Sequence, residues 1–130
     1  MSAAEVSRYF PQRELTESIL ACAFRVYNTL GNGFLEKVYE NALAHELRKG
    51  GLRVEQQARI EVLYDGVCVG EYFADIAVEG KVILEVKVCE TLQPVHEAQL
   101  LHYLKATGYH IGYLLNFGSK GKLEFKRMVW

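Results

Sequence analysis

The sequence predicts an α/β fold in which helices pack on a mixed β-sheet of about five strands, in the order ααβββαββ. Three observations predict it. Two helical patterns of apolar residues occupy the first fifty residues. From Leu52 onward apolar and polar residues alternate with a period of two, which is typical of strands. A third helical pattern then separates three predicted strands from two more.

Two amphipathic helices open the fold. The first covers about residues 16–30, and the second covers about residues 34–49, with Gly31-Asn32-Gly33 as the break between them. Gly50-Gly51 ends the second helix, and the basic residues before it suit the negative end of the helix dipole. The apolar stripe predicted for the second helix consists of Leu35, Val38, Tyr39, Ala42, Leu43 and Leu47.

The strands follow in a recognisable order. Segments Val54–Tyr64 and Val67–Val78 are joined by Asp65-Gly66, a strong signal for a hairpin. A third strand is predicted at residues 81–89. Pro94 opens a helix over residues 94–107, and two strands are predicted after it, at residues 111–117 and 122–129.

Composition limits the possible classes of protein. The 130 residues suit one domain, residues 1–130, and are 50% hydrophobic and 24% charged with a net charge of −1. That charge disfavours tight, non-specific binding of duplex DNA, which needs many phosphate contacts. Cys22, Cys68 and Cys89 have no CxxC spacing, so neither a disulfide framework nor a zinc ribbon is expected. With no apolar run of about 18 residues, the expected location is the cytoplasm, without membrane contact.

The third predicted strand carries charges on one face only. Its even positions are apolar and should face the core, and they are Val82, Leu84, Val86 and Val88. Because side chains alternate along a strand, Glu85 and Lys87 then share the opposite face. On the preceding strand Ala74, Ile76 and Val78 form the apolar set, so Asp75 also points away from it.

Matching the two apolar faces selects a register for the second hairpin. Val78 opposite Val82 leaves a three-residue loop at residues 79–81, in which Gly80 can take the left-handed position. This register brings Asp75 opposite Glu85, with Cβ atoms about 5 Å apart. A two-residue turn would instead send the two carboxylates to opposite faces.

Two opposed carboxylates repel each other unless a cation or a proton lies between them. Hard oxygen ligands suit Mg²⁺, which keeps several waters and can bridge phosphate oxygens. Lys87 would lie beside such a metal and could orient the attacking water or stabilise developing negative charge. The alternative is a solvated face with a weak salt bridge, and spacing alone does not separate the two interpretations.

Three further polar residues are candidates for the same site. Glu36 lies on the apolar side of the second helix at its start, where it could be a metal or water ligand or simply favour the helix dipole. Gln99 and Tyr103 lie one turn apart on the later helix. Taken separately, each is explained equally well as a surface amide or as an aromatic residue at the edge of the core.

The set of motifs resembles a known family. Residues 33–39, GFLEKVY, match the GxxExxY signature of a small bacterial protein family. The ordered set of Glu36, Asp75, Glu85-Val86-Lys87 and Gln99-Leu100-Leu101-His102-Tyr103 is similar to the exonuclease-like branch of the PD-(D/E)XK nuclease superfamily, over about residues 15–128. Ala74 stands where the superfamily's name has proline.

The resemblance implies a restriction-endonuclease-like core and a set of roles. Asp75 and Glu85 would hold the metal, with the Val86 carbonyl and Glu36 as further ligands. Lys87 would be the catalytic lysine, and Gln99 with Tyr103 would form the QxxxY element that positions the metal site or the DNA end. The expected cofactor is Mg²⁺, which Mn²⁺ can replace.

The expected function is hydrolysis of phosphodiester bonds in DNA, rather than RNA, by a Mg²⁺-dependent nuclease. The alternative is a non-catalytic module that binds nucleic acid or serves protein assembly, including assembly as a homodimer. Four tyrosines expected at the surface, Tyr64, Tyr72, Tyr109 and Tyr113, suit that alternative because tyrosine is enriched at interfaces.

Overall fold

The computed structural model describes residues 12–130 and contains the predicted order ααβββαββ. The helices are α1 (Arg13–Leu30), α2 (Glu36–Lys49) and α3 (Pro94–Thr107). The strands are β1 (Val54–Tyr64), β2 (Val67–Val78), β3 (Val82–Lys87), β4 (Ile111–Asn116) and β5 (Glu124–Val129). Residues 1–11, which the predicted domain also includes, lie outside the described residues.

The five strands form one mixed sheet in the order β1-β2-β3-β4-β5. Strands β1, β2 and β3 are successively antiparallel, β3 and β4 are parallel, and β4 and β5 are antiparallel. Parallel neighbours need a crossover connection, and α3 supplies it between β3 and β4. The predicted α/β class and the mixed five-stranded sheet are therefore confirmed.

Helices cover both faces of the sheet, so the fold has three layers. Leu84, on β3, packs in a core with side chains from α1 and α2. Its neighbour Ile83 points the other way and packs with Leu100 and Leu104 of α3. Because both faces are covered, β3 is buried at successive positions rather than at every second one. The face of β3 that carries Glu85 and Lys87 is therefore covered by α3, which argues against the alternative of a solvated face.

The loop of the β2–β3 hairpin has the predicted length. Val78 pairs with Val82, which leaves Glu79, Gly80 and Lys81 in the turn. Gly80 has φ = 62°, as expected for its left-handed position, and Glu79 also has a positive φ, 56°. A backbone bond from Glu79 N–H to Arg53 C=O, 2.9 Å long, holds this conformation. The register on which the carboxylate argument depends is therefore confirmed.

Four packing predictions were wrong, and three of them concern α2 and β4. Leu35 is 81% exposed and Val38 is also exposed, because the buried face of α2 is centred on Tyr39, Leu43 and Leu47. Leu35 is the residue before α2, and this end of the predicted stripe lies outside the contact between α2 and the sheet. Tyr113, expected at the surface, is buried in the core on β4, whose two faces are both covered.

Val88 was predicted to face the core but is exposed, because β3 ends one residue earlier at Lys87. The buried Asn116 explains the ending. Its side-chain oxygen accepts a hydrogen bond from Cys89 N–H at 3.0 Å, and its amide donates to Cys89 C=O at 2.9 Å. The chain after β3 is thus tied to a side chain instead of to a neighbouring strand.

Within residues 12–130, none of the helices combines the length and the apolar character that crossing a membrane would require. The longest, α1, has 18 residues and carries arginine and glutamate side chains. The packing of α1 against the sheet uses its apolar face, which includes Ile19, Ala23 and Val26.

Candidate active site

The carboxylates of Asp75 and Glu85 each accept a main-chain hydrogen bond from the opposite strand where the pairing of β2 with β3 stops. Regular pairing runs from Val78 and Val82 to Ile76 and Leu84. Immediately beyond it, Asp75 N–H donates to Glu85 Oε2 at 2.7 Å, and Val86 N–H donates to Asp75 Oδ2 at 2.8 Å. Each carboxylate therefore satisfies a main-chain donor of the opposite strand, which fixes the orientation of both.

The position of Asp75 is also the point at which β2 changes layer. Ile76 and Val78 pack in the core under α1 and α2, whereas Ala74 packs in the core under α3. Residues 74 and 76 would share a face in a regular strand, so β2 is irregular at Asp75, where its pairing with β1 omits Gln57. Asp75 lies between these two cores, so its carboxylate is partly buried without being enclosed.

Burial makes the pair costly to ionise. Glu85 is only 4% exposed. Burial first, and the charge of Asp75 second, raise the pKa of Glu85 from its ordinary 4.5 to about 8, against the weaker opposing effects of the Asp75 N–H bond and Lys87. The pKa of Asp75 is also raised, chiefly by burial, although the bond from Val86 N–H opposes the shift. Glu85 therefore does not belong to a solvated face, and the pair suits a cation.

A carboxylate and an amide that the sequence analysis missed support Asp75 from the α2 side. Glu40 is buried, and its Oε1 accepts a hydrogen bond from Gln57 Nε2 at 2.8 Å. The same Gln57 nitrogen lies 3.4 Å from Asp75 Oδ1, so one amide bridges the two carboxylates. Gln57 reaches this position with φ = 53°, a backbone conformation that few residues adopt.

A signal for Glu40 was present in the sequence. It lies four residues after Glu36 and in phase with Leu43 and Leu47, so it is a charged residue within the buried stripe of α2. A buried carboxylate requires partners. Lys37 Nζ at 3.0 Å and Gln56 Nε2 at 2.7 Å supply two of them, both to Oε2.

Glu36 begins α2 beside the carboxylate pair, at a position set by Tyr39. The Tyr39 hydroxyl donates to Gly31 C=O at 2.6 Å and accepts from Phe34 N–H at 3.1 Å, which closes the loop before the helix. Gly33, with φ = 120°, allows that loop to form. Desolvation, followed by the charge of Asp75, raises the pKa of Glu36, so this side chain shares the electrostatic field of the pair.

Lys87 lies two residues after Glu85 on the same side of β3 and is half-buried. Its ammonium opposes the rise in the pKa values of Glu36, Asp75 and Glu85. Pairing with Asn116 holds its backbone at the end of the parallel ladder. The predicted lysine thus places a positive charge near the carboxylates. Its effect on their pKa values is smaller than the effect of burial.

The predicted QxxxY residues occupy α3, next to the same site. Tyr103 is buried, and burial, followed by the charges of Glu85 and Asp75, raises the pKa of its hydroxyl to about 12. The hydroxyl therefore stays protonated at neutral pH and is available as a hydrogen-bond donor. Gln99 is exposed one turn earlier and lines a groove together with Tyr103.

The donor set fits a divalent cation bound mainly through water. Within the described part of the chain, no three side chains among His, Cys, Asp and Glu form a metal-binding cluster, so the protein offers no complete cage. Mg²⁺ is usually bound through one or two carboxylates, with water and substrate phosphate as its other ligands. Two oriented carboxylates with raised pKa values meet that requirement. The roles predicted for Glu36 and the Val86 carbonyl as further ligands stay predictions.

Two solved structures are among those that match the chain. The crystal structure of SSO0001 resembles the chain with a TM-score of 0.53 and 17% identity, over 96% of this chain and 61% of that protein. The chain thus spans less than two thirds of that protein, and the likeness shows the fold alone. An alkaline exonuclease (LHK-Exo) from Laribacter hongkongensis matches with a TM-score of 0.49 and 12% identity, over 88% of this chain and 81% of that one.

No curated protein is a significant match to the chain. A family model for the PD-(D/E)XK nuclease superfamily matches residues 13–128. This span contains all eight helices and strands except the last residue of β5. It also contains every side chain of the candidate site. The chain therefore belongs to the PD-(D/E)XK nuclease superfamily.

Proposed function

We propose that this protein is a Mg²⁺-dependent nuclease that hydrolyses phosphodiester bonds in DNA, and that Mn²⁺ can replace Mg²⁺. The observation that carries the proposal is the pair of carboxylates formed by the partly buried Asp75 and the buried Glu85, both oriented by main-chain donors and both raised in pKa. The family match over residues 13–128 supports nuclease chemistry and one domain. The GFLEKVY segment supports membership of the GxxExxY family.

In this proposal each side chain has a defined task. Asp75 and Glu85 would hold the metal, with Glu36 and the Val86 carbonyl as further ligands. When bound, the ion supplies electrostatic stabilisation for charge that builds on the phosphoryl oxygens. Lys87 orients the attacking water and shares that stabilisation.

Gln99 and the protonated Tyr103 hydroxyl act on the substrate side of the site. Both lie on α3, which covers the face of the sheet that Glu85 occupies. The Tyr103 hydroxyl can donate a hydrogen bond to a phosphate oxygen because its pKa of about 12 keeps it protonated. Gln57 and Glu40 hold Asp75 in place from the other layer.

The test is cleavage of a panel of single-stranded and duplex DNA and RNA by purified protein with Mg²⁺ or Mn²⁺. Asp75→Asn and Glu85→Gln should each lower the rate more than about 100-fold, since even outer-shell partners of metal ligands are worth 10–100-fold. Glu55→Gln, an exposed acid on β1, is the matched control and should cleave like the natural protein. Cleavage that survives Asp75→Ala or Glu85→Ala would contradict the assignment.

A second candidate is a non-catalytic module that binds nucleic acid or assembles as a homodimer. The exposed apolar end of the β1–β2 hairpin supports it, with Leu63, Tyr64 and Val67 all more than half exposed. Light scattering would report a dimer. If calorimetry detects no binding of Mg²⁺ at millimolar concentration, this candidate is favoured over the nuclease. Under either candidate the three free cysteines support a reducing, cytoplasmic location.

A further inference from the structure

A groove of about 830 Å³ lies between the outer half of the β1–β2 hairpin and helix α3. We call it the hairpin groove. Its size falls within the range of small-molecule sites, roughly 300–1,000 Å³. Its walls are mainly apolar or aromatic, and the side chains used below are Leu63, Val69, Tyr72, Val95, Gln99 and Tyr103.

The hairpin groove and the candidate active site share Tyr103. The ring of Tyr103 forms part of the groove wall, and its hydroxyl lies in the field of Glu85 and Asp75. Tyr72 of β2 stands beside it, with ring centroids 5.7 Å apart and planes tilted by 43°. Tyr72 is 51% exposed, so part of its ring remains free to contact a ligand. Tyr103 and Gln99 therefore place the groove next to the candidate site, within reach of a nucleotide that neighbours the bound phosphate.

We propose that the hairpin groove holds an unpaired nucleobase of the substrate, stacked on the exposed ring of Tyr72, which packs against the buried Tyr103, next to the phosphate bound at Asp75 and Glu85. This inference rests on the proposed nuclease function. Every base offers an aromatic face, and stacking on aromatic side chains is the usual way in which proteins hold unpaired bases. The exposed Gln99 amide can hydrogen-bond to the edge of that base.

The charges of the groove favour a base over the phosphate backbone. Lys105 and Glu61, both among the lining residues, have opposite charges and cancel at long range. A channel that follows phosphates is instead lined by positive side chains. Apolar walls such as Leu63, Val69 and Val95 suit the faces of a planar base, and a paired base in a duplex must first unpair and unstack before it can enter.

The consequence is a preference for single strands or frayed ends over blunt duplex. Calcium in place of Mg²⁺, with strand integrity checked on a gel, allows binding to be measured without cleavage. A fluorescent single-stranded oligonucleotide should bind the natural protein more tightly than a blunt duplex of the same length. Tyr72→Ala should weaken single-strand binding about tenfold, within the range for loss of one stacked base.

Matched variants separate stacking from folding. Tyr72→Trp keeps an aromatic face and should retain the affinity, whereas Tyr72→Leu keeps apolar bulk and should lose it. Tyr64→Ala removes a more exposed tyrosine that does not line the groove and should bind normally. A 2-aminopurine base in the oligonucleotide should lose fluorescence with the natural protein and keep it with Tyr72→Leu, and thermal melts check that each variant folds.

Two outcomes would overturn the inference. One is a natural protein that binds single strands no more tightly than blunt duplex. The other is a folded Tyr72→Leu variant that binds and quenches like Tyr64→Ala. Failure of the nuclease function gives a different pattern. The protein would then cleave no substrate, while its binding of single strands would still depend on Tyr72.

Discussion

Carboxylates at two levels of the β1–β2 hairpin are treated in opposite ways. In its outer part, Glu61 and Glu71 are exposed and both pair with Arg59. At its base, Asp75 is held by main-chain and amide donors, and its partner Glu85 is buried. The outer carboxylates are hydrated and share one arginine, whereas the inner ones have raised pKa values and require a proton or a cation. The outer carboxylates are therefore ordinary surface charges, whereas the inner pair has the properties of a candidate site.

The same comparison holds for the apolar residues of the two strands. Near the base, Ile76 and Val78 are completely buried between layers. Toward the outer end, Val67, Val69 and Tyr72 are more than half exposed. A rigid base is suited to hold a metal site, and an open end is suited to contact a ligand. Asp75 lies at the transition between them.

The largest expected effect is on stability, from truncation of the buried half. Leu84→Ala should lower the free energy of unfolding by about 2–5 kcal/mol, because it leaves a cavity between sheet and helices. Val69→Ala, on the exposed half, should change it by less than about 0.5 kcal/mol. Urea denaturation measures both. Equal losses would mean that the outer hairpin is packed in solution against something that the monomer lacks.

The next effect tests whether the base is held from the α2 layer. Gln57→Leu removes the amide that bridges Glu40 and Asp75, and should slow cleavage about 10–100-fold while weakening Mg²⁺ binding. Gln56→Leu, which also loses a bond to Glu40 but none to Asp75, is the control and should keep most of the activity. Identical rates for the two variants would show that the bridge does not position Asp75.

The third effect is a pH dependence that only the buried carboxylates should show. The folded-state pKa of Glu85, about 8, exceeds its ordinary value of 4.5. In the metal-free protein its stabilising contribution is therefore complete at low pH and is lost as pH rises toward 8. Relative to Glu85→Gln, the natural protein should lose up to about 1.4 kcal/mol per pH unit across that window.

Mg²⁺ should oppose this loss, because the ion favours the ionised carboxylate. Its apparent affinity should rise with pH up to about 8, by at most about tenfold per unit, and binding should release a proton. Calorimetry in two buffers of different ionisation enthalpy measures that release. A stability difference that does not vary with pH would contradict the assignment of the raised pKa to Glu85.

The smallest effect belongs to the outer charges. Arg59→Met breaks the ion pairs with Glu61 and Glu71, both of which are exposed to solvent. Since exposed pairs are screened by water and salt, the midpoint of unfolding should stay within experimental error. A clear loss of stability would show that these exposed ion pairs contribute to the stability of the fold.

Much of the fold follows from short-range patterns. The Asp65-Gly66 turn and the alternating residues around it gave the bounds of β1 and β2 as the structure has them. The match of Val78 with Val82 gave the register of the second hairpin, because a shift by one residue would have turned apolar side chains out of the core. The ends of elements were predicted less well, as Val88 shows, because the side chain of Asn116 decides where β3 stops.

The candidate site was predicted in part. Asp75, Glu85 and Lys87 follow from alternation along two strands, and Glu36, Gln99 and Tyr103 from an ordered family pattern. Glu40 and Gln57 were missed because their function depends on a contact between α2 and β1, seventeen residues apart in sequence. The predictions that Leu35 packs in the core and that Tyr113 lies at the surface were wrong for a similar reason, since burial depends on which layer covers each surface.

The sequence by itself determined the order of the elements, the turn at residues 79–81 and hence which carboxylates share a side of the sheet. These follow from periodicity and turn chemistry, which act between neighbours in the chain. Only the tertiary structure decided that Glu85 is buried beneath α3, that Gln57 bridges two carboxylates, and that Tyr72 meets Tyr103 across a groove. Desolvation and contacts between distant segments exist only once the layers have packed. They turn the carboxylates of Asp75 and Glu85, on neighbouring strands, into a candidate site.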